Sequence, residues 1–197
     1  GVFGLGYVGC VTATSLAANG HTVIGVDVNP AKVDLLNSAQ SPISEPGLGE
    51  LLRQVVESGH LSATVTADLA VQETDVSLIS VGTPSNHNGC MDMRSVDKVC
   101  AEIGESLSRK RDYHVVVVRS TVLPGTVLSR LVPILEQQSG RLPGSDYGVC
   151  MNPEFLREGS ALADYHHPAY TLIGQVITFA MAIATIVAIP PIRRACQ

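Results

Sequence analysis

At 197 residues, with 45% hydrophobic and 16% charged side chains, the chain is long enough for one α/β domain with a packed core and too apolar to be disordered. A net charge of −5 gives no basic footprint and excludes nucleic acid as a partner, so any phosphate must be held by loop amides and single cations. Cys10, Cys90, Cys100, Cys150 and Cys196 are odd in number and follow no metal or disulfide spacing, which fits a cytoplasmic protein, and each reads as a small buried hydrophobe.

No signal peptide and no methionine opens the sequence, as expected of a chain starting inside a longer gene product. Residues 1–27, GVFGLGYVGCVTATSLAANGHTVIGVD, read as one βαβ unit. A strand end at 1–3 leads into a tight loop at 4–9, a helix over 10–19, a stop at Gly20 and an apolar strand over 22–26. Gly4 permits the turn off the strand, Gly6 lets a pyrophosphate approach bare backbone, and Gly9 lets the helix lie close on the sheet. The free N–H groups of the helix's first turn then face the phosphates. Asp27 ends the second strand, near the spacing at which a carboxylate accepts hydrogen bonds from the adenosine ribose. It would repel a 2′-phosphate, and Val28 and Asn29 offer no arginine instead, so NAD is favoured over NADP. The alternative is a βαβ unit whose glycines serve packing only.

The alternation continues. A short helix over 31–37 is expected to turn Val33, Leu35 and Leu36 inward, with Lys32 either solvated or swung toward the cofactor. Residues 41–47, SPISEPG, form a loop, and 48–58 carry a helical apolar stripe closed by Gly59. Strands are expected at 61–66, 76–81, 115–118 and 147–151, with helices at 68–72, 91–107 and 127–138, the last interrupted by Pro133. The strand ends deliver Thr83, Thr121 and the pair Glu154/Glu158 to one rim of the sheet, where ligands bind in this architecture. A helix starting at Pro153 would set both glutamates on one face, as a base or a holder of water; equally, it is only a helix start with acids at its positive end. The uncharged run at 176–189, VITFAMAIATIVAI, reads as a buried strand or helix rather than a membrane span, even within the longer uncharged window 169–192.

GLGYVG, GVD-x-N-x-x-K, EPGL, VGTPS, RSTVLPGT and NPEFLREGSA, in this order, resemble the amino-terminal half of the UDP-glucose/GDP-mannose dehydrogenase family over about residues 1–174. The loop GTPSNHNGCMDM and RSTVLPGT are closer to its GDP-mannose branch than to the UDP-glucose branch. The resemblance implies a doubly wound, Rossmann-type NAD-binding domain over 1–174 and a divergent apolar tail over 175–197. It implies NAD as cofactor, a nucleotide-sugar substrate, homo-oligomers, and four-electron oxidation of GDP-mannose to GDP-mannuronate through an aldehyde and a cysteine thioester, feeding alginate-type polysaccharides. By motif, Gly4, Gly6, Tyr7, Val8, Gly9, Asp27, Lys32, Thr83 and Thr121 would contact NAD. Glu154 and Thr121 would order the hydrolytic water or accept protons, and Glu158, Phe155 and Leu156 would lie along the nucleotide sugar.

The departures weigh against catalysis by residues 1–197 alone. The family's G-G-x-C-x-P-K-D motif, central helix and second domain are not met by residue 197, and Cys10 reads as core. Two alternatives remain: the corresponding half of a UDP-glucose 6-dehydrogenase, and a non-catalytic NAD-binding fragment or regulatory protein. A Rossmann dehydrogenase for hydroxyacids would lack NPEFLREG.

Overall fold

A run of four valines fixes where the middle of the sheet lies. In β5 (His114–Val118), Val115 and Val117 enter one apolar layer while Val116 and Val118 enter the other, as required of a strand covered on both faces. The computed structural model, which describes residues 1–175, places this strand in a seven-stranded sheet. Its order is β3 (Leu61–Thr64), β2 (Val23–Val26), β1 (Val2–Phe3), β4 (Val76–Ile79), β5, β6 (Tyr147–Met151) and β7 (Gly174–Gln175). The first six are parallel, so the expected doubly wound sheet is present, with the chain reversing direction across the sheet between β1 and β4. β7 is an addition to the expected strands: it runs antiparallel, pairing Gly174 with Met151 and Gln175 with Cys150, and so spans the boundary expected at 174.

On one face lie α1 (Tyr7–Ala18), α3 (Leu48–Glu57) and α7 (Ala161–His166), which bury Leu16, Leu52 and Tyr165 against Val2, Leu78 and Val117. On the other, α4 (Ala67–Glu73), α5 (Arg94–Leu107) and α6 (Val132–Ser139) bury Val71, Ile103 and Leu135 against Phe3, Ile79 and Val116. α2 (Pro30–Asn37) starts one residue before the expected 31, with Pro30 in its first turn, and is capped by the Asn29 side chain, which accepts from Ala31 N at 3.0 Å. Its stripe is narrower than expected: Val33 and Leu36 are buried, but Leu35 is 37% exposed. The interruption at Pro133 is real. Without a Pro133 N–H the turn before it loses an α-helical bond, and Val127–Leu131 widens into a π-helical turn continuous with α6.

Cys10, Cys100 and Cys150 are buried as expected; Cys90 is exposed in the long loop before α5. Cys196 and the apolar run at 176–189 lie outside the described residues. Among the described residues no helix is long and apolar enough to cross a membrane.

Candidate functional site

One row of the sheet sets the rim. Thr64, Val26, Phe3, Ile79, Val118 and Met151 are successive register partners, so the next residue of each strand leaves the sheet at the same carboxyl edge. From that row depart Asp27, Gly4, Ser80, Arg119 and Asn152. The crevice between the loops after β1 and β4 is where the strand order reverses.

In the loop after β1, each glycine does a different job. Gly4 holds φ +95°, and a Cβ there would stand 2.8 Å from Val81 Cγ1. At Gly9 a Cβ would stand 1.7 Å from the Gly4 carbonyl oxygen, so helix and strand end touch backbone to backbone. At Gly6 a Cβ would meet nothing within 4 Å, which marks the open side of the loop. α1 begins there without a side-chain cap and without an acidic residue in its first turn. Its leading amides, at Tyr7 and Val8, are therefore available to an anion.

Asp27 is only 9% exposed and turns toward this loop rather than bulk solvent. Its Oδ2 accepts from Leu5 N at 2.8 Å and its Oδ1 from Asn29 N at 2.9 Å, while Lys32 Nζ lies 3.5 Å from Oδ2. A carboxylate has about four acceptor positions, so one remains for a hydroxyl, and a second opens if the long Lys32 contact is given up. Lys32 thus sits beside Asp27 rather than loose in solvent.

Farther along the rim, the Thr83 hydroxyl donates to the Thr121 carbonyl at 2.8 Å and joins the loops after β4 and β5. Ser120 is buried beneath them, donating to the Val81 carbonyl at 2.6 Å. Thr121 itself is exposed. The expected helix from Pro153 is not formed, and Glu154 and Glu158 do not share a helical face: 152–157 are irregular, and the helix begins only at Ala161. Two side chains account for this. The Glu154 carboxylate accepts from Leu156 N at 2.6 Å, and Asp164 takes Arg157 N at 3.0 Å, so the backbone donors are spent on local carboxylates instead of a helical ladder. Glu154 is half-buried and Glu158 exposed. Phe155 is half-exposed, with its ring 4.7 Å from that of Tyr170, and Leu156 packs inward against the core.

Glu154, Phe155 and Leu156 line a cavity of about 360 Å³ together with Arg119, Asn152 and Tyr165. Arg119 is 7% exposed; its Nη1 donates to Asn152 Oδ1 at 2.5 Å, while its Nε has no partner among the described residues. Burial pushes this guanidinium below its usual pKa. The sequence reading missed Arg119, Asn152 and Tyr165. The signal for the first two was present in a charged residue directly after an all-valine strand and in the amide that opens NPEF.

Glu45 was also missed, though it lies in EPGL. Its carboxylate accepts the Tyr7 hydroxyl and the N–H groups of Gly159 at 2.9 Å and Ala161 at 2.8 Å. The Tyr7 hydroxyl holds the Glu45 carboxyl below the usual carboxylate range. Burial, reinforced by Glu45, pushes the Tyr7 phenol up to about 12. Cys10 is not activated by its place near the helix start, because burial dominates and raises its thiol to about 11.

Comparison with known proteins gives a consistent result. Residues 1–187 match the model of the UDP-glucose/GDP-mannose dehydrogenase family, NAD binding domain. The chain is 50% identical over 175 residues to GDP-mannose 6-dehydrogenase of Azotobacter vinelandii, covering 89% of this chain and 40% of that enzyme. It is 39% identical over 173 residues to a UDP-glucose 6-dehydrogenase of Haloferax volcanii, covering 88% and 40%. The crystal structure of a ternary complex of GDP-mannose dehydrogenase from Pseudomonas aeruginosa superposes with a TM-score of 0.93 at 49% identity, over 94% of this chain and 43% of that one. The chain thus spans about 40% of the length of the curated relatives it matches.

Proposed function

The chain belongs to the UDP-glucose/GDP-mannose dehydrogenase family as its NAD-binding domain, and on that premise we propose that it is the cofactor-binding part of a GDP-mannose 6-dehydrogenase acting in the cytoplasm. The observation that carries the reading is the rim at which Gly6 lies open and Asp27 turns inward, on the same carboxyl edge from which NPEFLR departs to line a cavity. The preference for GDP-mannose over UDP-glucose is supported by 50% identity to the former enzyme against 39% to the latter.

NAD, when bound, supplies the acceptor of hydride from the C6 carbon. The protein's part is to bind and orient. The amides that follow Gly6 take the diphosphate, and Asp27 takes the adenosine ribose, where its charge rejects a 2′-phosphate. Lys32, beside Asp27, offsets part of that charge and offers a donor to the same sugar. The Thr83 and Thr121 pair walls the crevice toward the cavity. Glu154 is the candidate proton acceptor or water holder, and it must release Leu156 N or use its other oxygen to act. Phe155 and Glu158 present side chains to a sugar nucleotide, whereas Leu156 supports them from beneath.

Asp27→Ala should weaken NAD binding about ten- to hundredfold, the 1.5–3 kcal/mol of charge-assisted hydrogen bonds, and bring NADP affinity close to that of NAD. Calorimetric titration with both cofactors checks this, and unchanged affinities would remove Asp27 from the site. The function as a whole is tested with the product of the complete reading frame, offered GDP-mannose and UDP-glucose side by side. NADH should form with GDP-mannose at two equivalents per sugar; equal or greater turnover of UDP-glucose would reverse the branch assignment.

A further inference from the structure

Every residue of EPGL has a structural task that ends in Glu45. Pro46 fixes the backbone, Gly47 takes the left-handed conformation at φ +78° that starts α3, and Leu48 is fully buried. Glu45 is thereby presented to two chain segments remote in sequence. One is the phosphate loop, through the Tyr7 hydroxyl; the other is the end of NPEFLREGSA, through Gly159 N and Ala161 N. Tyr7 has one hydroxyl hydrogen. The Arg157 carbonyl lies 3.4 Å away and the Glu45 carboxylate much closer, so Glu45 takes it, while Gly159 N donates back to the Tyr7 oxygen at 3.1 Å.

The loop on the far side is a unit in itself. Asp164 accepts from Arg157 N, Nε and Nη2 at 3.0, 3.1 and 2.7 Å and from Ser160 Oγ at 3.2 Å, which binds 157–164 together without Glu45. What Glu45 and Tyr7 add is the tie between that unit and α1. Tyr7 is a stiff side chain rooted at the first residue after Gly6, so a ligand that fixes the backbone there also fixes the phenol.

We propose that Glu45 is a positioning residue that couples the phosphate loop to the NPEFLREGSA loop through Tyr7, so that dinucleotide at residues 4–9 orders residues 157–161. The proposal rests on the reading that residues 4–9 hold NAD, and it assigns Glu45 no contact with either ligand.

Amide hydrogen exchange, followed by mass spectrometry with and without saturating NAD, tests it. In the wild-type protein, NAD should slow exchange at Gly159 and Ala161 by about tenfold or more. Tyr7→Phe keeps the ring and leaves the amide bonds to Glu45 in place, yet the slowing should vanish. Glu45→Gln should reduce it, and Glu45→Asp should restore part of it. Should Tyr7→Phe retain the full NAD-dependent slowing, the coupling through Tyr7 is wrong. NAD binding seen by calorimetry with no change at 157–161 would remove the coupling and leave the cofactor site standing, whereas no NAD binding at all would remove both.

Discussion

Gly9→Ala is expected to lower the melting temperature by roughly 10 °C, whereas Gly6→Ala is expected to leave it unchanged and weaken NAD binding at least about tenfold. The two substitutions add the same methyl group three residues apart, one at the cap of α1 and one in its first turn. At Gly9 the new carbon would stand 1.7 Å from the Gly4 carbonyl oxygen and 2.9 Å from its carbon, both backbone atoms with nowhere to go. Relief requires α1 to lift from β1, an overpacking penalty of about 3 kcal/mol or more, and for a chain of this size each kcal/mol is worth about 2–4 °C. At Gly6 the φ of −76° suits any residue and the space is open, so the fold has no reason to respond. The methyl then occupies the surface that a diphosphate must reach. Thermal melts beside NAD titrations separate the effects. If both variants melted alike, or Gly6→Ala bound NAD as the wild type does, the loop would be a packing device.

A second large effect follows from a buried histidine. His114 opens β5, is fully buried, and shares a 2.8 Å hydrogen bond between Nε2 and Ser77 Oγ, while its Nδ1 has no partner among the described residues. Burial first, and then the nearby Lys110 ammonium, push its pKa down to about 3 from 6.5. The folded protein therefore keeps His114 neutral where the unfolded chain takes up a proton. Stability is undiminished by this group above about pH 6.5 and falls as the pH drops toward 3, by about 1.4 kcal/mol per unit. Over the whole window the loss is on the order of 5 kcal/mol. His114→Gln removes the titration and retains a partner for Ser77. Urea unfolding at pH 7, 6 and 5 should give a flatter profile for the variant than for the wild type; parallel profiles would mean that His114 protonates without penalty.

How much of this could be read from the sequence depended on whether a residue's role was local. The parallel strands and the βαβ opening were legible because continuous apolar runs and glycine spacing are local signals, and 115–118 alternates between two cores as its composition requires. His114 was not counted in its strand because a polar residue reads as a boundary, and its Ser77 partner lies 37 positions away. NPEFLRE carries real helix signals in Pro153 and the glutamate spacing. They lose to Glu154 and Asp164, which take backbone amides for themselves. The glycine loop at 4–9 carries a motif of its own, but Glu45 looked like part of a turn, because what it holds lies 38, 114 and 116 positions away. Arg119 was likewise hidden: nothing in RST says that the guanidinium runs under the rim to Asn152.

If the proposed function holds, a dinucleotide lies across the carboxyl edge with its diphosphate on the amides after Gly6 and its adenosine ribose on Asp27. A crystal structure of the protein with NAD tests it most directly. The ribose hydroxyls should be found within hydrogen-bonding distance of the Asp27 carboxylate, with the diphosphate against the start of α1. A dinucleotide seated elsewhere, or Asp27 still engaged by Leu5, Asn29 and Lys32 alone, would contradict it.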